Sequence, residues 1–100
     1  MSKPISDEII LDAIDKGLSS LGENPKQAVW YYLEKDYKFN RNKVPENIEA
    51  FEETLKNLFG LGYKFLEALF LKYLSESTDE DLHRFNTFAE CVRVLRQKTQ

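Results

Sequence analysis

Apolar residues recur along most of the chain at intervals of three and four, the spacing that places side chains on one face of an α-helix. No segment alternates apolar and polar residues over the length of a strand, and no Asn-Gly or Asp-Gly pair marks a hairpin. The pattern therefore predicts an all-α fold. Because one hundred residues can enclose one core but not two, we expect a compact single-domain bundle of about five helices over residues 1–100.

Capping residues predict where the first three helices begin and end. Ser6 is a good N-cap for helix one, and Gly22 is a suitable residue to end it. Asn24 can then cap helix two, with Pro25 at the first helical position, where a missing N–H group costs nothing. Pro45 opens helix three in the same way.

The most apolar segment begins at residues 60–62, where two glycines flank a leucine and predict a tight turn with positive φ at one glycine or both. The helix that follows, helix four, is expected to be the wide and mostly buried centre of the bundle, because its apolar residues cover about half of its circumference. Leu71 is expected on the opposite side, among charged residues such as Lys64 and Glu67. The predicted core face contains Phe65, Leu66, Leu69, Phe70, Tyr73 and Leu74.

A further helix is predicted at the C-terminal end of the chain. Ser77 and Glu80 have the spacing of a capping box, so the additional helix is expected over residues 78–98. Its apolar face is predicted to contain Leu82, Phe85, Phe88, Ala89, Val92 and Leu95.

Composition and charge favour a protein as the binding partner. Hydrophobic residues at 42%, charged residues at 31% and aromatic residues at 13% are typical of a folded globular chain. A net charge of −3 gives no overall field that would attract nucleic acid or an anionic membrane. The apolar segment is interrupted by charged residues and is shorter than the roughly 18 consecutive apolar residues of a membrane span, so we expect no membrane insertion.

The inventory of metal-binding residues is small. With one cysteine, Cys91, and one histidine, His83, the chain can form neither an intramolecular disulfide nor a closed zinc site. We therefore expect no metal and no cofactor. The first ten residues lack the apolar run of a secretory signal, and a reducing cytoplasm is the compartment that fits best.

The sequence indicates no catalytic residue, and we expect that the chain is not an enzyme. His83 follows Asp79, which could orient it as a general base, but a lone histidine in an acidic helix is more often a surface residue. No serine or cysteine nucleophile lies at a local spacing that suggests pairing with it. Adjacent acids such as Glu52 and Glu53 diverge by about 100° around a helix and do not converge on a cation.

Three apolar or aromatic residues are candidates for a protein interface. Tyr31 and Leu71 lie on otherwise polar helix faces, and Trp30 lies at the edge of the core face of helix two. Tryptophan and tyrosine are typical interface anchors. The alternative is that single exposed hydrophobic residues are ordinary and that the additional helix over residues 78–98 covers Leu71. A homodimer is the simplest form of the interface hypothesis.

A nucleic-acid interface is the alternative from another class of function. Basic residues alternate with Tyr37 and Phe39 between helices two and three, as in many patches that bind single strands. The acidic residues that follow and the negative net charge speak against it. The basic residues of this candidate patch are Lys35, Lys38, Arg41 and Lys43.

Several short motifs between residues 18 and 77 occur together, and the turn over residues 58–62 is the most specific of them. The residues concerned are Gly22, Gln27, Ala28, Tyr31, Tyr32, Leu33, Glu34, Pro45, Phe51, Leu58, Phe59, Gly60, Leu61, Gly62, Phe65, Leu66 and Glu67. Over this span the chain resembles the archaeal Nitrosopumilus output domain family, type five. The resemblance implies an all-helical module at the output end of signal-transduction proteins, with no established activity. The additional helix over 78–98 lies outside the matching span and is expected to seal the core or to support dimerisation.

Overall fold

A computed structural model describes residues 5–82 and 84–97, and within these ranges it contains five α-helices and no β-strand. The all-α prediction is confirmed, and the number of helices is close to the expected one. Side chains from all five helices join one cluster of buried residues. The helices are α1 (Asp7–Ser19), α2 (Glu23–Asp36), α3 (Ile48–Phe59), α4 (Tyr63–Thr78) and α5 (Phe88–Arg96), with short 3-10 helices at Arg41–Lys43, Pro45–Asn47 and Gly60–Gly62.

The first two helices are joined at Gly22, whose φ of 108° suits glycine and few other residues. Ser6 caps α1 as predicted, and its hydroxyl accepts a hydrogen bond at 3.2 Å from the backbone N–H group three residues on. The predicted start of helix two is wrong by two residues. Helix α2 begins at Glu23, because Gly22 turns the chain directly into the helix, and Asn24 and Pro25 lie inside the first turn.

The connection before α3 is tighter than the sequence predicted. Pro45 begins a 3-10 turn, and the α-helix itself starts three residues later at Ile48. At the other end of α3, Gly60 has a φ of 56° and Gly62 has a φ of −66°. Positive φ is therefore needed at one glycine of this turn.

The predicted start of the last helix is wrong. Ser77 lies inside α4, which ends where Asp79 takes the left-handed conformation with φ 57°. Helix α5 begins at Phe88, and its cap is Thr87, whose hydroxyl accepts a hydrogen bond from the N–H group of Glu90 at 3.0 Å. The part of the prediction that concerns residues 83 and 98 lies outside the described residues.

Helix α4 contributes a narrower face to the core than the sequence predicted. Phe65 was expected in the core and is 64% exposed, whereas Glu67 was expected in water and is buried. The buried arc of the helix is centred on Phe70, and Phe65 lies about 140° away from that residue around the axis. Among the other predicted core residues, Leu66, Phe70 and Leu74 are buried and Leu69 and Tyr73 are half-buried.

Helix α1 packs along α4, while α5 packs on α3 and α4. Helices α1 and α4 are in tight contact at Gly17, where a Cβ atom would lie 2.4 Å from the ring of Phe70. Phe70 is fully buried, so its ring has no free space into which it could turn. The contact between these two helices therefore depends on the missing side chain at Gly17.

Gly17→Ala is expected to destabilise the protein by about 1–2 kcal/mol, because overpacking against Phe70 outweighs the better helix propensity of alanine. Urea unfolding at one protein concentration measures the change. The control is Gly62→Ala, where φ is −66° and the nearest neighbour of an added Cβ lies at 3.9 Å. That variant should be as stable as the wild type or more stable by about 0.4–1 kcal/mol. Equal effects of the two substitutions would contradict the packing argument.

Candidate functional site

Two glutamates lie in the core where α5 meets α3 and α4. Glu52 of α3 is 6% exposed and Glu67 of α4 is 9% exposed. Glu67 accepts a hydrogen bond from the N–H group of Phe88 at 2.9 Å, and Glu52 accepts one from the N–H group of Ala89 at 3.2 Å. The first N–H groups of a helix have no acceptor within the helix. The two carboxyl groups therefore attach the start of α5 to α3 and α4.

The environment of Glu52 favours its protonated form. Burial raises its pKa above the ordinary value of 4.5, hydrogen bonds from Tyr63 and Ala89 lower the pKa, and the neighbouring Glu67 raises it again. The Tyr63 hydroxyl donates to Glu52 at 2.9 Å. Burial also raises the pKa of Tyr63 well above its usual range, so this hydroxyl remains a donor.

Paired acids with separated pKa values can act as general acid and base in enzymes. Here both Glu52 and Glu67 accept hydrogen bonds from the backbone of α5 and are buried. The arrangement is therefore suited to holding a helix. Sequence reasoning missed this cluster, because it placed Glu67 on the wet side of α4 and considered Glu52 only beside Glu53.

Trp30 is a structural residue of the α1–α2 contact. Its indole N–H group donates to Asp15 at 3.0 Å, and its ring stacks on Phe51 with the centroids 6.1 Å apart. Arg41 binds the other carboxylate oxygen of Asp15, and its guanidinium lies 5.8 Å from the centroid of the indole ring. Trp30 is half-buried, and its polar and aromatic groups are already engaged within the chain.

Tyr31 projects from α2 into solvent and is 65% exposed. The ammonium group of Lys35 lies 5.6 Å from the centroid of its ring. Tyr31 is thus exposed as the sequence predicted, but it lies on a different helix from Leu71, and α2 and α4 each pack on α1.

The four basic residues of the alternative hypothesis do not form a patch of free charges. Arg41 pairs with Asp15, and the ammonium group of Lys43 lies 3.9 Å from Glu46. Lys35 and Lys38 are exposed, the latter with a positive φ of 59°. Two of the four cations are therefore partly neutralised by carboxylates.

Leu71 is half-buried and lines a groove on α4. The groove has a volume of about 430 Å³ and is bounded on its other side by Leu82, from the segment between α4 and α5. Leu82 itself is buried. We call this feature the α4 groove, and its lining residues are Ala68, Leu71, Lys72, Ser75, Glu76 and Leu82.

Two further apolar residues were not among the candidates from the sequence. Leu61, at the tip of the turn before α4, is 94% exposed, and Phe65 lies one helical turn further on with about two thirds of its surface in water. We call them the exposed pair. The sequence feature that could have identified Phe65 as exposed is its helical angle, because Phe65 falls outside the arc centred on the buried Phe70.

A second cavity of about 460 Å³ lies between the start of α3 and the end of α5. Its charged residues already have partners, since Arg93 pairs with Glu49, Arg96 donates to Asp7 at 2.9 Å, and Glu46 lies 3.9 Å from Lys43. Cys91 is buried, and burial raises the pKa of its thiol to about 12, so the thiolate nucleophile does not form near neutral pH.

The histidine considered as a base, His83, lies outside the described residues. Within the described residues no group of three or more acidic, cysteine or histidine side chains could hold a metal ion, and no helix has the length and apolar character of a membrane span. Comparison of the chain with family models, with curated proteins and with solved structures finds no match.

Glu52→Ala is expected to destabilise the protein by about 3 kcal/mol, because Tyr63 and Ala89 would each keep a buried donor without an acceptor. Urea unfolding measures the loss, and hydrogen exchange should show reduced protection of the Ala89 amide. Glu53 is exposed one residue further on, and Glu53→Ala is the matched control, with an expected change below about 0.5 kcal/mol. A loss of the same size in both variants would contradict the role given to Glu52.

The raised pKa of Glu52 should make the stability depend on pH. The folded state holds the Glu52 proton more tightly than the unfolded state does, so protonation of Glu52 stabilises the fold. This stabilisation is fully present below the ordinary pKa of 4.5 and is lost as the pH rises through the raised pKa. Glu52→Gln removes this titration and keeps a hydrogen-bonding side chain. Urea unfolding across this pH range should give a wild-type advantage over Glu52→Gln that shrinks with rising pH. For Glu53→Gln the difference from wild type should be constant.

Proposed function

We propose that the protein is a non-enzymatic helical interaction module that binds protein. Its first partner is a second copy of itself, and it binds through the solvent-facing side of α4. The observation that carries the proposal is the exposed pair, Leu61 and Phe65, beside the α4 groove. Exposed apolar residues next to an apolar groove are typical of surfaces that another protein covers.

The fold does not require an apolar side chain at either position of the exposed pair. The turn before α4 needs a residue with positive φ, and Gly60 supplies that conformation. Leu61 is almost entirely in water, and the buried side of α4 is already filled by residues such as Phe70 and Leu74. A polar residue at either position would therefore serve the monomer as well.

The resemblance over residues 18–77 adds a regulatory role to the proposal. A module of this kind would receive a signal through one contact and pass it on through another, with its partners bound non-covalently. We place it in the cytoplasm, because the lone Cys91 suits a reducing compartment. The non-enzymatic part is supported by the two buried glutamates, whose carboxyl groups are occupied by the N–H groups of α5.

The nucleic-acid alternative has less support, since carboxylates engage both Arg41 and Lys43. It predicts binding that weakens steeply as the salt concentration rises, whereas association through apolar side chains changes little with salt.

Phe65→Glu is expected to weaken self-association at least about tenfold, because a carboxylate would have to be taken out of water at the contact. Sedimentation equilibrium across dilution from millimolar to micromolar measures the mass. Tyr31→Glu is the matched control, because Tyr31 is exposed to nearly the same extent on another helix. Leu71→Glu tests the groove and should act like Phe65→Glu.

A wild-type protein that is monomeric at every concentration would contradict the self-association proposed here. A loss of association in Tyr31→Glu alone would move the interface to α2, as one part of the sequence-based hypothesis predicted.

A further inference from the structure

Helix α5 is attached to the rest of the chain in three ways. Its start is held by the carboxyl groups of Glu52 and Glu67, which lie in the core. Its middle buries apolar side chains such as Val92. Towards its end, Arg93 and Arg96 form ion pairs with carboxylates of α3 and α1, in positions that water reaches. Because exposed ion pairs contribute little, the attachment at the start is the polar contact that matters most for α5.

The two buried carboxyl groups form a cluster that has no buried cation among residues 5–82 and 84–97. They are within hydrogen-bonding reach of each other. Their other donors are neutral, namely the Tyr63 hydroxyl and the first two N–H groups of α5. The ammonium group of Lys56 lies 3.9 Å from Glu52, but about half of the lysine side chain is exposed. Two adjacent carboxylates would repel each other here, so the closed state favours one proton shared between Glu52 and Glu67.

Among the described residues, the other titratable groups buried in this part of the core are Tyr63 and Cys91, and neither changes its charge near neutral pH. The Tyr63 hydroxyl keeps its proton because burial raises its pKa. Burial also raises the pKa of the Cys91 thiol to about 12, and the charged groups around that thiol are Arg84, Glu80 and Glu90. The shared proton is therefore the one inside the core that responds to pH.

Several contacts within the fold do not involve α5. Helix α1 packs along α4 and on α2, and the 3-10 helix at Gly60–Gly62 packs on α3 and α4. Proteins commonly open in units of this size, at a lower free energy than complete unfolding requires. Helix α5 would lose its structure on leaving the core, since nine residues are too few for a stable isolated helix. Opening of α5 and unfolding of the whole chain can thus be separate events.

We propose that α5 opens as a unit while α1–α4 remain helical, and that a proton shared by Glu52 and Glu67 keeps it closed. Burial and the neighbouring Glu67 raise the pKa of Glu52 in the closed state above the ordinary 4.5. The closed state therefore binds the proton more tightly than the open state does. This stabilisation is fully present below pH 4.5 and is lost as the pH rises through the raised pKa. Helix α5 is thus a pH-sensitive conformational switch, separate from the interaction proposed through α4.

Cys91 reports the opening, because it is the one cysteine of the chain and is fully buried on α5. Its rate of reaction with dithiodipyridine, divided by the rate of the urea-unfolded chain at the same pH, gives the fraction of molecules in which α5 is open. In the wild type this fraction should rise about tenfold per pH unit from pH 4.5 and level off above the raised pKa of Glu52. It should exceed the globally unfolded fraction, measured by urea titration, at least about tenfold.

Variants of the two glutamates test the role of the proton. The double variant with Glu52→Gln and Glu67→Gln keeps side chains that accept hydrogen bonds but has no shared proton to lose, so its open fraction should be independent of pH. Glu67→Gln alone removes a carboxyl group that raises the pKa of Glu52, so the rise should level off at a lower pH than in the wild type. Circular dichroism confirms that each variant folds.

Glu53→Gln and His83→Gln are the controls, the first because Glu53 is exposed and the second because it removes the one histidine of the chain. Both should keep the rise of the wild type. Hydrogen exchange of the Phe88 and Ala89 amides, corrected for the intrinsic exchange rate, should show the same pH dependence as the reaction of Cys91.

The reaction of Cys91 also gives the results that would contradict the switch. A thiol that reacts no faster than global unfolding allows would show that α5 does not open by itself, and would overturn the inference. An equal rise in the double variant, or loss of the rise in His83→Gln, would overturn the role of the shared proton. None of these results bears on self-association through α4, because its test is the mass of the protein in solution.

Discussion

The attachment of α5 to two buried glutamates is the interaction on which the rest of the fold depends. Helix α5 has nine residues, fewer than the roughly 12–15 that an isolated helix needs to be even marginally stable in water. It therefore needs partners, and Glu52 and Glu67 accept hydrogen bonds from its first two N–H groups while Thr87 accepts one from the third helical residue. Burying two acids is costly unless they are hydrogen-bonded or protonated. The raised pKa of Glu52 and the donors around it meet that condition.

The same contact determines which side of α4 faces water. Glu67 must point towards α5, and Phe70 must lie against Gly17 of α1, where no other residue leaves enough space. These two requirements fix the rotation of α4 about its axis. Phe65 and Ala68 are then left on the outward side, at the far side of the helix from Phe70. The candidate interaction surface is thus a consequence of how the core is closed.

The sequence was sufficient for the fold class and for features that depend on neighbouring residues, such as the Ser6 cap and the turn at Gly60. It failed where two sites matched the same local rule. Ser77 and Thr87 both precede a glutamate by three residues, so each could cap a helix. The last helix begins after Thr87, because the residues that follow Thr87 bury an apolar face in the core. It also failed for Glu67 and Phe65, because a hydrophobicity pattern assigns a glutamate to water and a phenylalanine to the core. The partner of Glu67 is a backbone N–H group 21 residues away, which no local pattern indicates.

The choice between the two exposed aromatic residues follows from what each would lose on leaving water. The hydroxyl of Tyr31 is solvated and its ring is near the ammonium group of Lys35, so a partner would have to replace both interactions. Phe65 has no polar atom, and Leu61 and the α4 groove extend its apolar surface. Removing apolar surface from water contributes about 25 cal/mol per Å², and at Phe65 little polar desolvation opposes that gain. For this reason we propose the surface around α4, and not the tyrosine on α2, as the site of association.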